Sequence, residues 1–439
     1  MTAHQPVRFD LDGGGVGFVE SSAAVPLVSI VVSVRSGAIA DPAGKDGVCR
    51  FAARMLRRGA GGRSAQEIEA SIDRLGAELS LDVGPSTVSF HGQVIRRNVD
   101  KFVDLLTSLL GQPTFDPAEV ARLKRETSAE IVEARDSDRA LANLAFRRAL
   151  FPGHPYARSA AGRLPTIDAI GRDDVVAAYD RHFVRRDLVL GFAGAISVDE
   201  AKVIAARITS AVKEGPPLPM KPPEPTAPTG RRLVFVDKPE RTQTQTLIGS
   251  LGTWPHDEDH VPLVTATAVL GGTFTSRMMR EIRSKRGWSY GTSARLSIER
   301  RRHAFTMAAA PAAADCAPCT ELMLELLEDF VAKGISKREL GFIKNYLVRS
   351  YAFEIDTAPK RLGQAIETEL LELPADYHTR YVDHVKDVTL ERANAAAKMR
   401  LDPQNLVVIV VGTAADTLEA VKAKIPGLTA TDVVPFDAD

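Results

Sequence analysis

An arginine and a tyrosine in the second half of the chain have the residue types and the spacing to act on a carbonyl group. Residues 271–290 read GGTFTSRMMREIRSKRGWSY, which places Arg283 and Tyr290 seven residues apart. The pattern predicts a helix ending in cations, then Gly287 in a left-handed turn and Tyr290 at the start of a strand. The guanidinium and the phenol would then converge and donate hydrogen bonds to a carbonyl oxygen that gains negative charge. The alternative is a basic helix end and a strand tyrosine without chemistry.

A second pair of cations lies on a predicted helix over residues 48–58, within the segment GVCRFAARMLRRGA. Arg50 and Arg54 are four residues apart and therefore share one face of this helix. Arginine has N–H donors but no lone pair, and it stays protonated in proteins, so this face offers no ligand to a metal ion. Taken by itself, the pair is typical of an ordinary solvated basic face.

The cysteines give little support for redox chemistry. Cys316 and Cys319 form a Cys-x-x-Cys pair at the predicted start of a helix, where the pKa of a thiol can be lowered. The preceding AAAPAAAD is unlike the strand and turn that usually lead into a redox-active pair. We therefore interpret both cysteines as small residues in the first turn of an amphipathic helix, with a thiol oxidoreductase as the less favoured alternative.

The elements that would position these side chains form two similar halves. A Pro-rich connector over residues 214–230 separates a domain over residues 1–213 from one over residues 231–439. Each half closes on an apolar strand, a glycine turn and an amphipathic helix, and the two strands begin 218 residues apart, at Leu188 and Leu406. This offset indicates an internal duplication. The irregular alternation of strands and helices predicts an α+β fold, with a mostly antiparallel sheet packed with helices in each domain.

Composition excludes several classes of function. The chain of 439 residues has 56 Lys and Arg against 56 Asp and Glu, which provides no overall field to bind nucleic acid or an acidic membrane surface. Its longest clean apolar run, residues 406–411, is far shorter than the roughly 20 residues of a membrane helix. The N-terminal segment has no apolar stretch, so we expect a soluble cytoplasmic protein as the sequence is written, and a periplasmic one if a signal peptide has been removed.

The first basic segment resembles the inverted zinc motif of the insulinase and mitochondrial-processing-peptidase family, known as M16, in which a helix bears His-x-x-Glu-His. Here the three functional positions read Arg50, Ala53 and Arg54, whereas Glu130 stands where the family has a further zinc-binding Glu. The substitutions remove both imidazole ligands and the carboxylate that would act as general base. We therefore predict that this chain binds no zinc there, does not hydrolyse peptides alone, and pairs Glu130 with Arg50 or Arg54.

The segment over residues 271–290 is similar to the family's Gly-rich turn and the helix that follows it. In that family an Arg and a Tyr with this spacing, from the half without the zinc helix, complete the active site. The resemblance implies this role for Arg283 and Tyr290. Smaller matches at residues 151–158 and 237–246 extend the resemblance over nearly the whole chain.

The resemblance implies a non-catalytic subunit of a heterodimeric zinc metalloendopeptidase. A sister subunit with an intact His-x-x-Glu-His motif would supply the zinc, and this chain would need no cofactor of its own. The two subunits would close around an unfolded peptide, held as an added strand on a sheet edge. The alternative is a structural or peptide-binding scaffold with no role in hydrolysis.

Overall fold

Two six-stranded sheets form the framework of the residues that the computed structural model describes, 5–438. Each sheet belongs to one of two units and has its own buried apolar core. The first unit consists of the chain up to Ile131, Arg158–Lys221 and Ala352–Thr379. The second consists of Val132–Ala157, Pro222–Tyr351 and the chain from Arg380 onward.

The sheet of the first unit has the order β1-β2-β8-β3-β7-β6, and only the β2–β8 pair is parallel among these neighbours. The strands of the first unit, including a short hairpin β4–β5 outside this sheet, are β1 (Val7–Asp10), β2 (Val16–Ser21), β3 (Leu27–Val34), β4 (Gly59–Ala60), β5 (Arg63–Ser64), β6 (Glu78–Val83), β7 (Val88–Ile95) and β8 (Leu188–Gly194). Because β6 pairs only with β7, it is an edge of the sheet.

The sheet of the second unit has the order β11-β12-β10-β13-β9-β14. Its strands are β9 (Arg231–Asp237), β10 (Gln245–Leu251), β11 (Thr292–Leu296), β12 (Ala304–Ala309), β13 (Leu406–Gly412) and β14 (Leu428–Pro435). The pairs of β9 with β13 and with β14 are parallel, and the other three are antiparallel. Both sheets are therefore mostly antiparallel, as the α+β prediction requires.

The two sheets repeat one topology. The run β2-β8-β3-β7-β6 in the first sheet corresponds to β9-β13-β10-β12-β11 in the second, in the order in which the strands occur along each half. Corresponding pairs of neighbouring strands have the same relative direction in both sheets: the first pair is parallel, and the other three are antiparallel. The internal duplication that the offset between Leu188 and Leu406 predicted is confirmed by this match.

Helices cover the sheets on the sides that carry the apolar residues. In chain order they are α1 (Val48–Met55), α2 (Ala65–Leu75), α3 (Val99–Gly111), α4 (Pro117–Ala134), α5 (Asp138–Leu150), α6 (Leu164–Ala169), α7 (Arg172–His182), α8 (Val198–Ala211), α9 (His260–Thr267), α10 (Cys316–Lys333), α11 (Lys337–Ser350), α12 (Ala358–Leu371), α13 (Tyr381–Lys386), α14 (Leu390–Arg400) and α15 (Ala414–Ala423). Helices α4 and α5 are separate because Ser137 caps the second one, its hydroxyl accepting from the Ala140 amide at 3.2 Å.

The domains predicted from sequence are residues 1–213 and 231–439. Compared with them, each structural unit contains one helix from the other half of the chain. Helix α5, from the first half, packs on β9, β10 and β13, while α12, from the second half, packs on β2 and β8. A β-carbon on Gly249 of β10 would lie 2.7 Å from the ring of Phe146 in α5, so glycine there permits the close approach. The units separate between Lys221 and Pro222, inside the connector over residues 214–230.

The exchanged helix explains why β8 is apolar along its whole length. All seven residues of β8 are buried. Val189 and Ala193 face the cluster that includes α12, whereas Leu190 and Phe192 face the main core of the first unit. A strand covered on both faces has no polar side, which gives a continuous apolar run. Within residues 5–438, no helix combines the length and the apolar character needed to cross a bilayer.

Candidate functional site

Helix α1 carries the first group of predicted site residues and is fixed at its start by a buried carboxylate. The oxygens of Asp41 accept from the amides of Gly47 at 2.6 Å and Cys49 at 3.0 Å, which satisfies N–H groups that the helix cannot pair itself. Burial raises the pKa of Asp41 to about 7 against the effect of these two bonds. The helix ends at Met55 rather than at the predicted residue 58, because the next residues form tighter turns.

Glu130, on α4, lies against both arginines of α1. Its two oxygens receive hydrogen bonds from the two terminal nitrogens of Arg54 at 2.9 and 2.6 Å, and Arg50 donates to one of them at 3.2 Å. Arg54 also donates to the Thr127 hydroxyl at 3.1 Å. Burial opposes ionisation of Glu130, but the hydrogen bonds and charges of Arg54 and Arg50 outweigh it, so the pKa of this carboxyl lies below its usual value. The predicted contact is confirmed.

The residues at this place do not fit a zinc ion. Of Arg50, Arg54 and Glu130, which we call the degenerate site, only Glu130 has a lone pair to offer, and both of its oxygens already accept from guanidinium groups. Ala53 is fully buried and brings no carboxylate to act as a base. The site is therefore internally satisfied, and its charges stabilise the contact between α1 and α4.

A cleft of about 850 Å³ extends from the degenerate site towards the edge strand β6. Its cationic lining residues are Arg50, Arg54, Arg57, Arg58 and Arg122. Arg57 pairs with Glu69 at 2.8 Å and donates to the Leu79 carbonyl on β6 at 2.6 Å. Arg58 and Arg122 share Glu126. These pairs were not predicted, although the segment LRRGA after α1 contains two further arginines.

The segment around Arg283 places cations on a loosened helical turn. Residues Met279–Ser284 form a widened turn of the π type, followed by Gly287 at φ +67°. Arg280, Lys285 and Arg286 all pair with Glu281, at 3.2, 2.8 and 3.2 Å. The guanidinium of Arg283 is different, because it makes neither an ion pair nor a hydrogen bond within residues 5–438.

Arg283 and Tyr290, which we call the Arg–Tyr pair, are adjacent, with Tyr290 exposed and Arg283 half-buried. The Cζ atom of Arg283 lies over the ring of Tyr290, 4.5 Å from its centroid, and Tyr290 is 86% exposed. Tyr290 precedes the strand rather than starting it, since β11 begins at Thr292. The buried hydroxyl of Ser289 accepts from the Ala310 amide at 3.0 Å and donates to the Gly291 carbonyl at 2.7 Å, which fixes the loop. The pair therefore presents two free donor groups.

A third side chain that sequence analysis missed belongs to this surface. Phe274, within the Gly-rich turn, lies with its ring centroid 4.8 Å from the Cζ atom of Arg283 and is 70% exposed. Its position between glycines and a helix, nine residues before Arg283, was visible in the sequence, but nothing in the spacing indicated a contact.

The Cys-x-x-Cys pair lies inside the second unit. Cys316 and Cys319 are both free thiols with no exposed surface, at the start of α10. Burial raises the pKa of Cys319 to about 12 and also raises that of Cys316. Because the thiolate is the reactive form, this environment disfavours the redox alternative and supports the interpretation as helix residues.

Another buried cluster lies beside α1 and was not anticipated. Atoms of Asp41, Cys49 and His182 that are able to bind a metal lie within 4.8 Å of one another. Asp41, however, already uses its oxygens to hold the start of α1, and Ser36 contacts Nδ1 of His182. Burial lowers the pKa of His182 to about 4, so the ring is neutral. The cluster anchors the helix that carries the degenerate site.

Comparison with known proteins gives matches along most of the chain. Residues 18–163 match the family model described as insulinase (peptidase family M16), and residues 169–347 match the one described as peptidase M16 inactive domain. A protein of Mycobacterium leprae named an uncharacterized zinc protease is 26% identical over 411 residues, covering 90% of this chain and 89% of the relative. A Helicobacter pylori protein named a non-peptidase homolog is 20% identical, covering 89% and 90%.

Solved structures show the same fold. A crystal structure described as the peptidase M16 inactive domain from Pseudomonas fluorescens superposes with a TM-score of 0.86 at 22% identity, covering 93% of this chain and 98% of that one. The sequence motifs, the duplicated sheets and the two family models agree. The chain belongs to the M16, or insulinase, peptidase family, as an inactive member that lacks both histidine ligands and the general base and keeps Glu130 at the third ligand position.

Proposed function

We propose that this chain is the non-catalytic subunit of a two-chain zinc peptidase and donates the Arg–Tyr pair to substrate at the partner's zinc site. The observation that supports the proposal is that the N–H donors of the Arg283 guanidinium are free. This guanidinium lies 4.5 Å from the exposed ring of Tyr290 and has no hydrogen-bond partner within residues 5–438, whereas the three cations around it are paired with Glu281. Donors left free in this way are available to a ligand.

The chemistry divides between the two subunits. Zinc, its ligands and the glutamate base would come from the sister subunit with an intact His-x-x-Glu-His motif, and the zinc would activate water there. The N–H groups of Arg283 and the O–H of Tyr290 would donate to the peptide carbonyl oxygen as it gains negative charge. Donors directed at a developing oxyanion stabilise the transition state more than the ground state.

An extended, unfolded peptide is the substrate that this arrangement fits. Tyr290 lies two residues before β11, which is an edge of the second sheet. A peptide added to a sheet edge is held by main-chain hydrogen bonds, which place little demand on its side chains. In the proposed complex, such binding would align a backbone carbonyl rather than a particular side chain with the donors.

Reconstitution with the sister subunit tests the proposal. We expect Tyr290→Phe and Arg283→Ala each to lower kcat by about 10²–10³, because each removes a donor to the oxyanion. Assembly and the zinc content of the complex should not change, since neither residue binds the metal. Arg280→Ala is the matched control, because Arg280 is a neighbouring exposed cation already paired with Glu281.

The scaffold alternative predicts a different outcome. If both variants retain full turnover in a complex that contains zinc, the chain contributes structure or peptide binding without a role in hydrolysis. The internally satisfied degenerate site is compatible with either function. The unpaired guanidinium of Arg283 favours a chain that takes part in the reaction over the scaffold alternative.

A further inference from the structure

Phe274 lies beside Arg283, and the proposed function assigns it no role. Its ring lies 4.8 Å from the Cζ atom of Arg283, and the ring of Tyr290 lies 4.5 Å from the same atom. The guanidinium thus contacts the faces of two aromatic rings, both largely exposed. Because Phe274 is 70% exposed, burial of its ring contributes little to stability.

Aromatic rings restrain a guanidinium in a way that a carboxylate does not. A ring attracts the cation through its π face and leaves the N–H groups at the edge of the guanidinium free. Glu281, by contrast, takes hydrogen bonds from Arg280, Lys285 and Arg286 and so occupies their donors. A side chain that must be both fixed and available to substrate therefore needs an aromatic neighbour rather than an acidic one.

We propose that Phe274 is a positioning residue for the Arg–Tyr pair: its ring restrains the guanidinium of Arg283 beside Tyr290 while leaving the donors of both free for the substrate carbonyl. This inference rests on the proposed function and adds a residue to it. Phe274 itself donates no hydrogen bond to the substrate and acts only through Arg283. Its contribution must therefore disappear when Arg283 is absent.

A double-mutant cycle in the reconstituted two-chain complex tests this dependence. Phe274→Leu keeps an apolar side chain but removes the π face, and we expect kcat to fall about three- to tenfold with KM within about twofold of the original. Phe274→Tyr keeps the ring face and should retain at least half of the original kcat. In the Arg283→Ala background, Phe274→Leu should change kcat by less than about twofold, because the contact no longer exists.

The control for a general effect of removing a surface ring is Phe353→Leu. Phe353 is also 70% exposed, and no cation lies over its ring within residues 5–438. This variant should leave kcat and KM unchanged. The zinc content and the elution volume of each complex are measured alongside the kinetics.

Three results would overturn the inference while leaving the proposed function intact. The first is an equal loss of kcat from Phe274→Leu with and without Arg283, the second is a Phe274→Tyr variant as slow as Phe274→Leu, and the third is a Phe274→Leu chain that fails to assemble with its partner. A complex in which Arg283→Ala itself keeps full turnover would instead refute the proposed function, and the inference with it.

Discussion

The guanidinium groups of Arg54 and Arg283 lie in opposite kinds of surroundings. Arg54 donates to both oxygens of Glu130 and to the Thr127 hydroxyl, so it is fixed inside the chain. Arg283 touches two aromatic rings and donates to no group within residues 5–438. A residue whose donors are satisfied internally stabilises the fold, whereas one whose donors are free but held in place can bind a ligand.

The two regions also differ in how much of the family's active-site chemistry each one retains. The degenerate site has lost its chemistry through the residue types at positions 50, 53 and 54. The Arg–Tyr pair keeps the family's residue types, and Tyr290 is exposed, as the proposed chemistry at a partner's site would require. Loss of catalysis in one unit is therefore compatible with a retained contribution from the other.

The largest expected effect is a gain of zinc binding when the arginines of the degenerate site are replaced by metal-binding side chains. Arg50→His with Arg54→His would place two imidazoles beside Glu130, and three ligands with an open position form a zinc site. We expect zinc to rise from none to one ion per chain, measured by elemental analysis after dialysis. Ala53 is left unchanged because it is fully buried.

Two further measurements make the zinc experiment decisive. Adding Glu130→Gln to the double variant should remove the ion, because a third ligand is lost. Arg57→His with Arg58→His is the control that adds imidazoles beyond the site. If the unmodified chain already held one zinc that Glu130→Gln released, our description of the degenerate site would be wrong.

A smaller effect is expected from breaking the ion pairs of the degenerate site. Glu130→Gln should lower the free energy of unfolding by about 1 kcal/mol at pH 7, a modest value because the carboxylate is 42% exposed. Since folding lowers the pKa of Glu130, its stabilisation is present above the ordinary carboxyl range and is lost as the pH falls through the folded pKa. Urea unfolding at pH 7 and pH 3 should therefore show a difference between wild type and variant that shrinks in acid.

The smallest effect should be that of Tyr290→Phe on stability. Because the Tyr290 hydroxyl has no partner within residues 5–438, its removal should change the free energy of unfolding by less than about 0.5 kcal/mol. Tyr179→Phe is the matched comparison, since the Tyr179 hydroxyl donates to the Leu110 carbonyl at 2.5 Å and its loss should cost about 1 kcal/mol. Equal losses in the two variants would show that Tyr290 is not free, which contradicts the contrast between the two regions.

Several features of the fold were predictable because they depend on local sequence. Strand β3 coincides with the apolar, β-branched run LVSIVVSV at residues 27–34. The separation of α4 from α5 follows from Ser137, which caps the second helix. The connector over residues 214–230 contains no helix or strand, as its prolines indicated.

The exchange of α5 and α12 was not predictable in the same way. An amphipathic helix shows by its periodicity that one face is buried, but it does not identify the sheet that buries it. Only the packing of Phe146 against Gly249 and of Ile366 against β8 shows that each half gives a helix to the other unit. The predicted domains are therefore continuous segments of the chain, whereas the structural units are defined by which helices and strands pack together.

For the two sites, the sequence by itself determined the chemistry that is excluded, and the tertiary structure decided which donors are free. Arginine at positions 50 and 54 has no lone pair in any fold, so a zinc site of the family type was ruled out by residue type alone. By contrast, five cations lie within five residues of Glu281 along the sequence, and their spacing does not show which of them pair with it and which is left unpaired. The widened turn at residues 279–284 brings Arg280, Lys285 and Arg286 to Glu281 and leaves Arg283 against Phe274 and Tyr290, because side-chain direction is set by the backbone in three dimensions.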